Sequence, residues 1–441
     1  MHALRPGIRS GLEEWRVFGG ERYRRYLTIG LGAAGVSSLA DAALTIPLLL
    51  VLGAPPALAT LIGVLPIAGS AAQLAVPRLL ERTDGNLRGV TLAITAAGET
   101  RGIWLALVTL GSAVDLLPTG LVIGLIAAIM TVAGAATTIG GANQLAWYGA
   151  ILAEPERRFV APRVMGVTLG LGAVLLLPAA LLVQLLSPVT GVLVFALLFL
   201  LGGSAGLLEL WAMTRLPRPG RVRVPAPPAP RAENPELGRF VRIVVLAAFG
   251  SGFGPYLSIY AISVLHQPPS FAIVLTALGA GASLVTSTIV GGWLGHGSSS
   301  RLLRVSFLLR GGAMLLGLLA FPANPLSGVV LCLVSVVVSA GAASGIISAN
   351  ERLLRLAGRE EWFVAQGRYV AGTAAGTTGG QLLNAGLLAV APVGYLPFAA
   401  LFLVSGVTRF FAAWRVDVSA SWSSATAAWR TDDLEPGKVG R

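Results

Sequence analysis

Read from its first residue, the chain alternates long apolar runs with short polar breaks that carry arginine. A bilayer core about 30 Å thick is crossed by roughly 20 apolar residues as a helix, whereas membrane strands would read as alternating segments of about ten. The runs here are of the first kind, and in lipid only helices or closed barrels satisfy every backbone group. They predict twelve helical spans, near 27–51, 57–77, 89–111, 119–142, 161–185, 190–213, 240–265, 270–294, 302–321, 326–349, 369–391 and 394–414. The stretch from Arg215 to Arg242 divides them, because its seven arginines and seven prolines suit neither a span nor a packed core.

This pattern predicts an all-α polytopic membrane protein whose twelve transmembrane helices form two pseudo-symmetric six-helix bundles. Five segments follow: a cytoplasmic amphipathic lead-in over 1–26, a first bundle over 27–214, a linker over 215–239, a second bundle over 240–415 and a tail over 416–441. Arginine placement sets the orientation, since short cytoplasmic loops retain positive charge. Breaks around Arg78, Arg82 and Arg88, around Arg157, Arg158 and Arg163, and around Arg301 and Arg304 are basic, whereas the intervening loops near Ala54, Asp115, Ser187, His266, Ala323 and Gly394 carry no lysine or arginine. Both termini and the linker are therefore expected in the cytoplasm.

Composition agrees with this class. The 441 residues are 55% hydrophobic and 12% charged, with a mean hydropathy of +0.77. A net charge of +12 could suggest a nucleic-acid partner, but the basic residues are 31 arginines and one lysine, Lys438, set in bursts between apolar runs. That distribution belongs to membrane loops and argues against nucleic acid. The preference for arginine over lysine points to a GC-rich coding sequence and a bacterial inner membrane. The single Cys332 allows no internal disulfide, and His2, His266 and His296 are scattered, so neither a metal site nor a membrane enzyme's acid-base cluster is expected. No Walker-type phosphate loop occurs, and no cofactor is expected.

Three short matches recur at nearly one offset: Arg101-Gly102 with Arg310-Gly311, Ala142-Asn143 with Ala349-Asn350, and Phe159-Val160-Ala161 with Phe363-Val364-Ala365. They indicate a duplicated six-helix unit. With twelve spans in a 6+6 arrangement, cytoplasmic termini and a long central loop, the chain resembles the major facilitator superfamily over about residues 26–415. That family's loop between spans two and three is similar to Pro77–Gly85 here, where Glu81 and Arg82 keep the acid followed by arginine and the leading glycine is missing. Its counterpart, Gly291 to Ser298, keeps the glycines and loses the acid. The resemblance implies that Glu81 and Arg82 belong to a gating latch; an ordinary polar turn is the alternative. The paired Gly-Pro of the family's proton-driven exporters is missing from span five, and Gly254-Pro255 lies in span seven.

A charge at mid-bilayer costs at least about 2.5–3.5 kcal/mol, so it persists where it is paired or faces a polar cavity. Asp41 in span one, Glu99 and Arg101 in span three, and Arg310 in span nine are in this position; Glu209 is expected to reach the cytoplasmic interface. Glu99 and Arg101 point about 200° apart around one helix, so each needs another partner, and Asp41 is the expected one for Arg101. Asp41 is read as the proton-coupling group or as half of a fixed ion pair. Arg101 and Arg310 are read as structural or gating pairs, or as contacts for an anionic substrate. Thr45, Tyr256, Ser258, Tyr260, Gln381 and Asn384 are candidates for lining a path, with interhelical hydrogen bonding as the alternative. The function that follows is a monomeric secondary transporter moving a small-molecule substrate by alternating access, with the proton as coupling ion. A lipid flippase or a non-transporting sensor on the same fold is the alternative.

Overall fold

The computed structural model describes residues 17–152, 154–219, 235–250, 254–293, 299–357, 362–391 and 393–416. Most of the lead-in, the centre of the linker over 220–234, Ser251, the turn over 294–298 and the tail beyond residue 416 lie outside the described residues.

Every described apolar run is helical. The helices are α1 (Arg24–Leu39), α2 (Ala42–Val51), α3 (Pro56–Gly69), α4 (Val76–Arg82), α5 (Leu87–Glu99), α6 (Arg101–Ala113), α7 (Thr119–Ile151), α8 (Glu154–Thr190) and α9 (Leu193–Thr214). They continue with α10 (Pro235–Phe249), α11 (Gly254–Ser263), α12 (Pro269–Trp293), α13 (Ser299–Leu316), α14 (Ser327–Ala357), α15 (Trp362–Val390) and α16 (Tyr395–Arg415). Among the described residues, nine helical stretches are long and apolar enough to cross a membrane. The chain is a multi-pass membrane protein. Leucines and valines such as Leu116, Val189, Leu326 and Leu396 point outward, as a lipid-facing surface requires.

The helices pack in a pattern that repeats. Helix α1 packs on α8 and α9, as α10 packs on α15 and α16; α6 packs on α9, as α13 packs on α16; α3 packs on α7, as α12 packs on α14. Glycine sets the closest of these approaches. A Cβ on Gly102 would sit 2.6 Å from the Phe199 carbonyl of α9, and one on Gly311 would sit 3.2 Å from the Gly406 carbonyl of α16. Small residues thus let backbones meet where lipid gives no hydrophobic drive between helices. Two seams join the earlier helices to the later ones, α8 against α12 and α3 with its following 3-10 turn against α15. At one end of the α8 seam Ser270 hydrogen-bonds Gln184, and further along it a Cβ on Gly170 would press on Leu284.

Paired tryptophans mark one face of the bilayer. Trp211 and Trp414, both exposed, lie under Arg215 and Arg415 at the ends of α9 and α16, an arrangement suited to the headgroup region. At the same end Arg25 and Arg88 donate to the carbonyls of Arg215 and Thr214, which would otherwise be unsatisfied at the helix terminus.

Candidate functional site

The first apolar run does not form one helix. It stops at Leu39 and restarts at Ala42, with Ala40 and Asp41 in non-helical backbone. Asp41 caps the restart, its Oδ1 accepting from the Ala42 amide at 2.7 Å. Aspartate suits this place because its short carboxylate satisfies an orphan amide and complements the positive end of the helix. The break leaves the Ala40 carbonyl without a helical donor, and Arg101 supplies one through Nε at 2.8 Å. Arg101 itself sits beside a second break, at Thr100 between α5 and α6, and its Nη1 donates to the Gly98 carbonyl at 3.1 Å and to Thr137 Oγ1 at 3.0 Å. Its Nη2 lies 3.6 Å from Asp41 Oδ2, an ion pair without a direct hydrogen bond. The two differ in exposure: the Arg101 side chain is 5% exposed, that of Asp41 42%.

Asp41 opens onto a cavity of about 570 Å³ lined from α2, α3, α6, α7, α11, α12 and α14. It lies near the middle of these helices, at Met130 in α7, Gly279 in α12 and Ser335 in α14. One wall carries Asp41, Arg101, Thr137 and Thr138; the opposite wall carries Ser258, Thr276, Ser283, Ser335 and Ser339. Of these hydroxyls, sequence reasoning named Ser258. The others left a usable signal, since Ser335 and Ser339 are four apart and Thr276 and Ser283 seven apart, spacings that place each pair on one helical face.

Glu99 does not meet a cation directly. Its carboxyl lies beside that of Glu209, both are buried, and one oxygen of each, Oε2, has no hydrogen-bond partner among the described residues. The expectation that Glu209 reaches the membrane interface is therefore corrected. Gly32 of α1 has no side chain to hold Glu209 away, and a Cβ there would lie 2.6 Å from the Glu209 Cβ, so the carboxyl is packed inside the helix cluster. Asp41, Arg101 and Tyr148 are the other polar groups near the pair.

Arg310 borders a separate cavity of about 360 Å³ with Asn350, Gln366, Tyr369 and Thr373, and neighbours Arg409 of α16. Thr45, Tyr256, Tyr260, Gln381 and Asn384 are not among the residues that line the central cavity in this structure. Thr45 turns its hydroxyl back to the Asp41 carbonyl at 3.0 Å. Tyr256 meets Phe398 edge-on and Tyr260 packs on it at a tilt, and the Tyr260 hydroxyl donates to the Ala320 carbonyl. Asn384 reaches Tyr256, and the Gln381 amide is buried with no hydrogen-bond partner among the described residues. Glu81 and Arg82 are exposed at the end of α4, and no ion pair of either occurs among the described residues.

No protein-family model and no curated protein matches the chain. Solved structures do. A POT family transporter in complex with 5-aminolevulinic acid superposes with a TM-score of 0.68 at 15% identity, over 90% of this chain and 96% of that one. A bacterial homologue of the iron transporter ferroportin, inward-facing, gives 0.66 at 15% over 90% and 98%. The xylose transporter XylE from E. coli, inward open, gives 0.66 at 12% over 92% and 98%. The chain shares the fold of these solved structures. Within that fold the cavity at Asp41 lies between the earlier and the later helices, and the two seams flank it. Identities this low carry the fold and leave the solute open.

Proposed function

We propose that the chain is a secondary active transporter that carries a small solute across the bacterial inner membrane by alternating access, with protons as the coupling ion. In this reading twelve spans form two six-helix bundles, 27–214 and 240–415, joined by the linker over 215–239. Both termini lie in the cytoplasm and one chain is the working unit. The observation that carries the proposal is the mid-helix cavity of about 570 Å³ walled by helices of both halves, with a carboxylate and an arginine at two helix breaks on one side. Broken helices beside a midplane cavity place irregular backbone where it can meet a ligand, as transporters of several folds do. Asp41 is the proposed coupling group. It is exposed to the cavity, and its partner Arg101 is already satisfied by three other acceptors.

Proteoliposomes loaded with a pH-sensitive dye and challenged with amines, sugars, nucleosides and carboxylates test this. The expected result is a solute-evoked proton movement, above that of protein-free vesicles, in the wild type and its loss in Asp41→Asn. An Asp41→Asn protein that keeps gradient-dependent transport removes Asp41 from coupling, and a wild type that moves no solute under any gradient removes the transporter reading.

A further inference from the structure

The central cavity is rich in hydrogen-bond acceptors. The hydroxyl protons of Thr138, Thr276, Ser283 and Ser335 are already donated to the main-chain carbonyls of Gly134, Ala272, Ser339 and Leu275. An oxygen used in this way still carries lone pairs, so what it shows a ligand is an acceptor. Arg101 is the one guanidinium on the wall among the described residues, and its Nε and Nη1 are committed to Ala40, Gly98 and Thr137. The carboxylate beside it is the reverse case. Asp41 Oδ1 is held by one amide, Oδ2 has no hydrogen bond shorter than the 3.6 Å approach of Arg101, and the side chain is 42% exposed. The remaining wall is mainly apolar, with Ile46, Ile67, Met130, Leu257 and Leu275.

Such a wall has many acceptors, one of them anionic and half-exposed, while the donors it keeps are the neutral hydroxyls of Thr137, Ser258 and Ser339. A carboxylate or phosphate ligand would bring more acceptors and lose its water with little compensation. A cation with several N–H groups would be matched, and charge-assisted hydrogen bonds are the stronger kind. Resting on the transporter reading for what the cavity is for, we propose that it takes a small amphipathic organic cation. An ammonium or guanidinium group sits on Asp41 and the hydroxyl oxygens opposite, and an apolar body lies on the aliphatic wall. The cavity volume is that of sites for compact organic ligands.

Three probes of one shape test the proposal on the purified full chain: 2-phenylethylammonium, 2-phenylethanol and 3-phenylpropionate. Binding is read by calorimetry and by the rise in unfolding temperature that a ligand of the folded state produces. The ammonium is expected to bind at least about tenfold more tightly than either analogue, Asp41→Asn to abolish that preference, and Asp41→Glu to retain it. The proposal is overturned if the carboxylate binds as tightly as the ammonium, if none of the three binds, or if folded Asp41→Asn binds the ammonium as the wild type does. Should Asp41→Asn not fold, Thr276→Val decides: a several-fold loss for the ammonium alone supports the proposal, and an equal loss for ammonium and alcohol overturns it. Flux in proteoliposomes separates this from the transporter reading. Ammonium binding without flux of any solute defeats transport and leaves the site, whereas preferred binding and flux of a carboxylate defeats the cation and leaves transport.

Discussion

The two arginine-glycine pairs of the repeat sit in equivalent packing and in different electrostatics. Arg101-Gly102 begins α6 against α9, and Arg310-Gly311 lies in α13 against α16. In the first place the arginine closes two helix breaks and faces Asp41 across the cavity wall; in the second it borders its own cavity beside Tyr369, with a second arginine, Arg409, nearby. Arg409 stands three residues beyond Gly406, where the first half has Gly206 three beyond Gly203 and the carboxyl pair of Glu99 and Glu209 in place of a cation. The helix packing is alike in the two places and the charges differ. Packing in membranes is set by small residues whose enlargement pushes neighbouring backbones apart, whereas a buried charge needs only that its own surroundings satisfy it.

The largest expected effect breaks the comparison at Arg101. Arg101→Ala strips the Ala40 carbonyl of its donor and the Gly98 carbonyl of one of its donors, a loss of about 2–3 kcal/mol as for buried acceptors left unsatisfied. Arg310→Ala, which opens no helix break, is expected to cost about 1–2 kcal/mol. Thermal unfolding in detergent compares the two, and equal losses would show that the halves depend on their arginines alike.

Glycine sharpens the packing side of the same contrast. Gly102→Ala forces a methyl group against the Phe199 carbonyl and the Gly203 backbone and is expected to cost about 1–3 kcal/mol. Gly311→Ala meets its nearest atoms, Gly406 and Phe410, at 3.2 Å, and is expected to cost about 1 kcal/mol or less, since the Phe410 ring can shift. A reversed order would place the tighter approach in the second half.

Smallest is the effect at the carboxyl pair. Glu99→Gln or Glu209→Gln replaces one of two neighbouring buried carboxyls with an amide and is expected to change stability by less than about 1 kcal/mol if the pair holds a proton. Either change should remove the infrared carbonyl band of a protonated carboxyl. A gain well beyond that from one substitution, with no such band in the wild type, would mean that the two groups repel as ions.

Much of this architecture was legible in the sequence, because apolar runs of the right length have few other uses and the arginine bursts punctuate them. The breaks within runs were not. Asp41 reads as a charge inside an uninterrupted helix; only the structure shows that it caps a restart, since a cap depends on the backbone turning at Ala40 and on Arg101 arriving from α6 to take the freed carbonyl. Glu209 was misplaced for a related reason. Counted along α9 it lies one turn from the end, but its surroundings are set by Gly32, a residue from a helix far away in sequence. The hydroxyl wall escaped because serine and threonine are ordinary in apolar helices, where they satisfy themselves on the preceding turn. The tyrosines stand out as polar groups, but their rings bury them against Phe398 and Phe402.

Alternating access is the central claim, and paired spin labels read it most directly. In a Cys332→Ser background, one pair at Arg82 and Arg368 reports the end of the α3 and α15 seam where Leu74 meets Gly367, and a second at Val51 and Pro268 reports the opposite end near Ser270. Between mildly acidic and mildly alkaline buffer, the account predicts two distance populations at each pair, with one end closing as the other opens. A single unchanging distance at both pairs, or two distances that lengthen together, would contradict it.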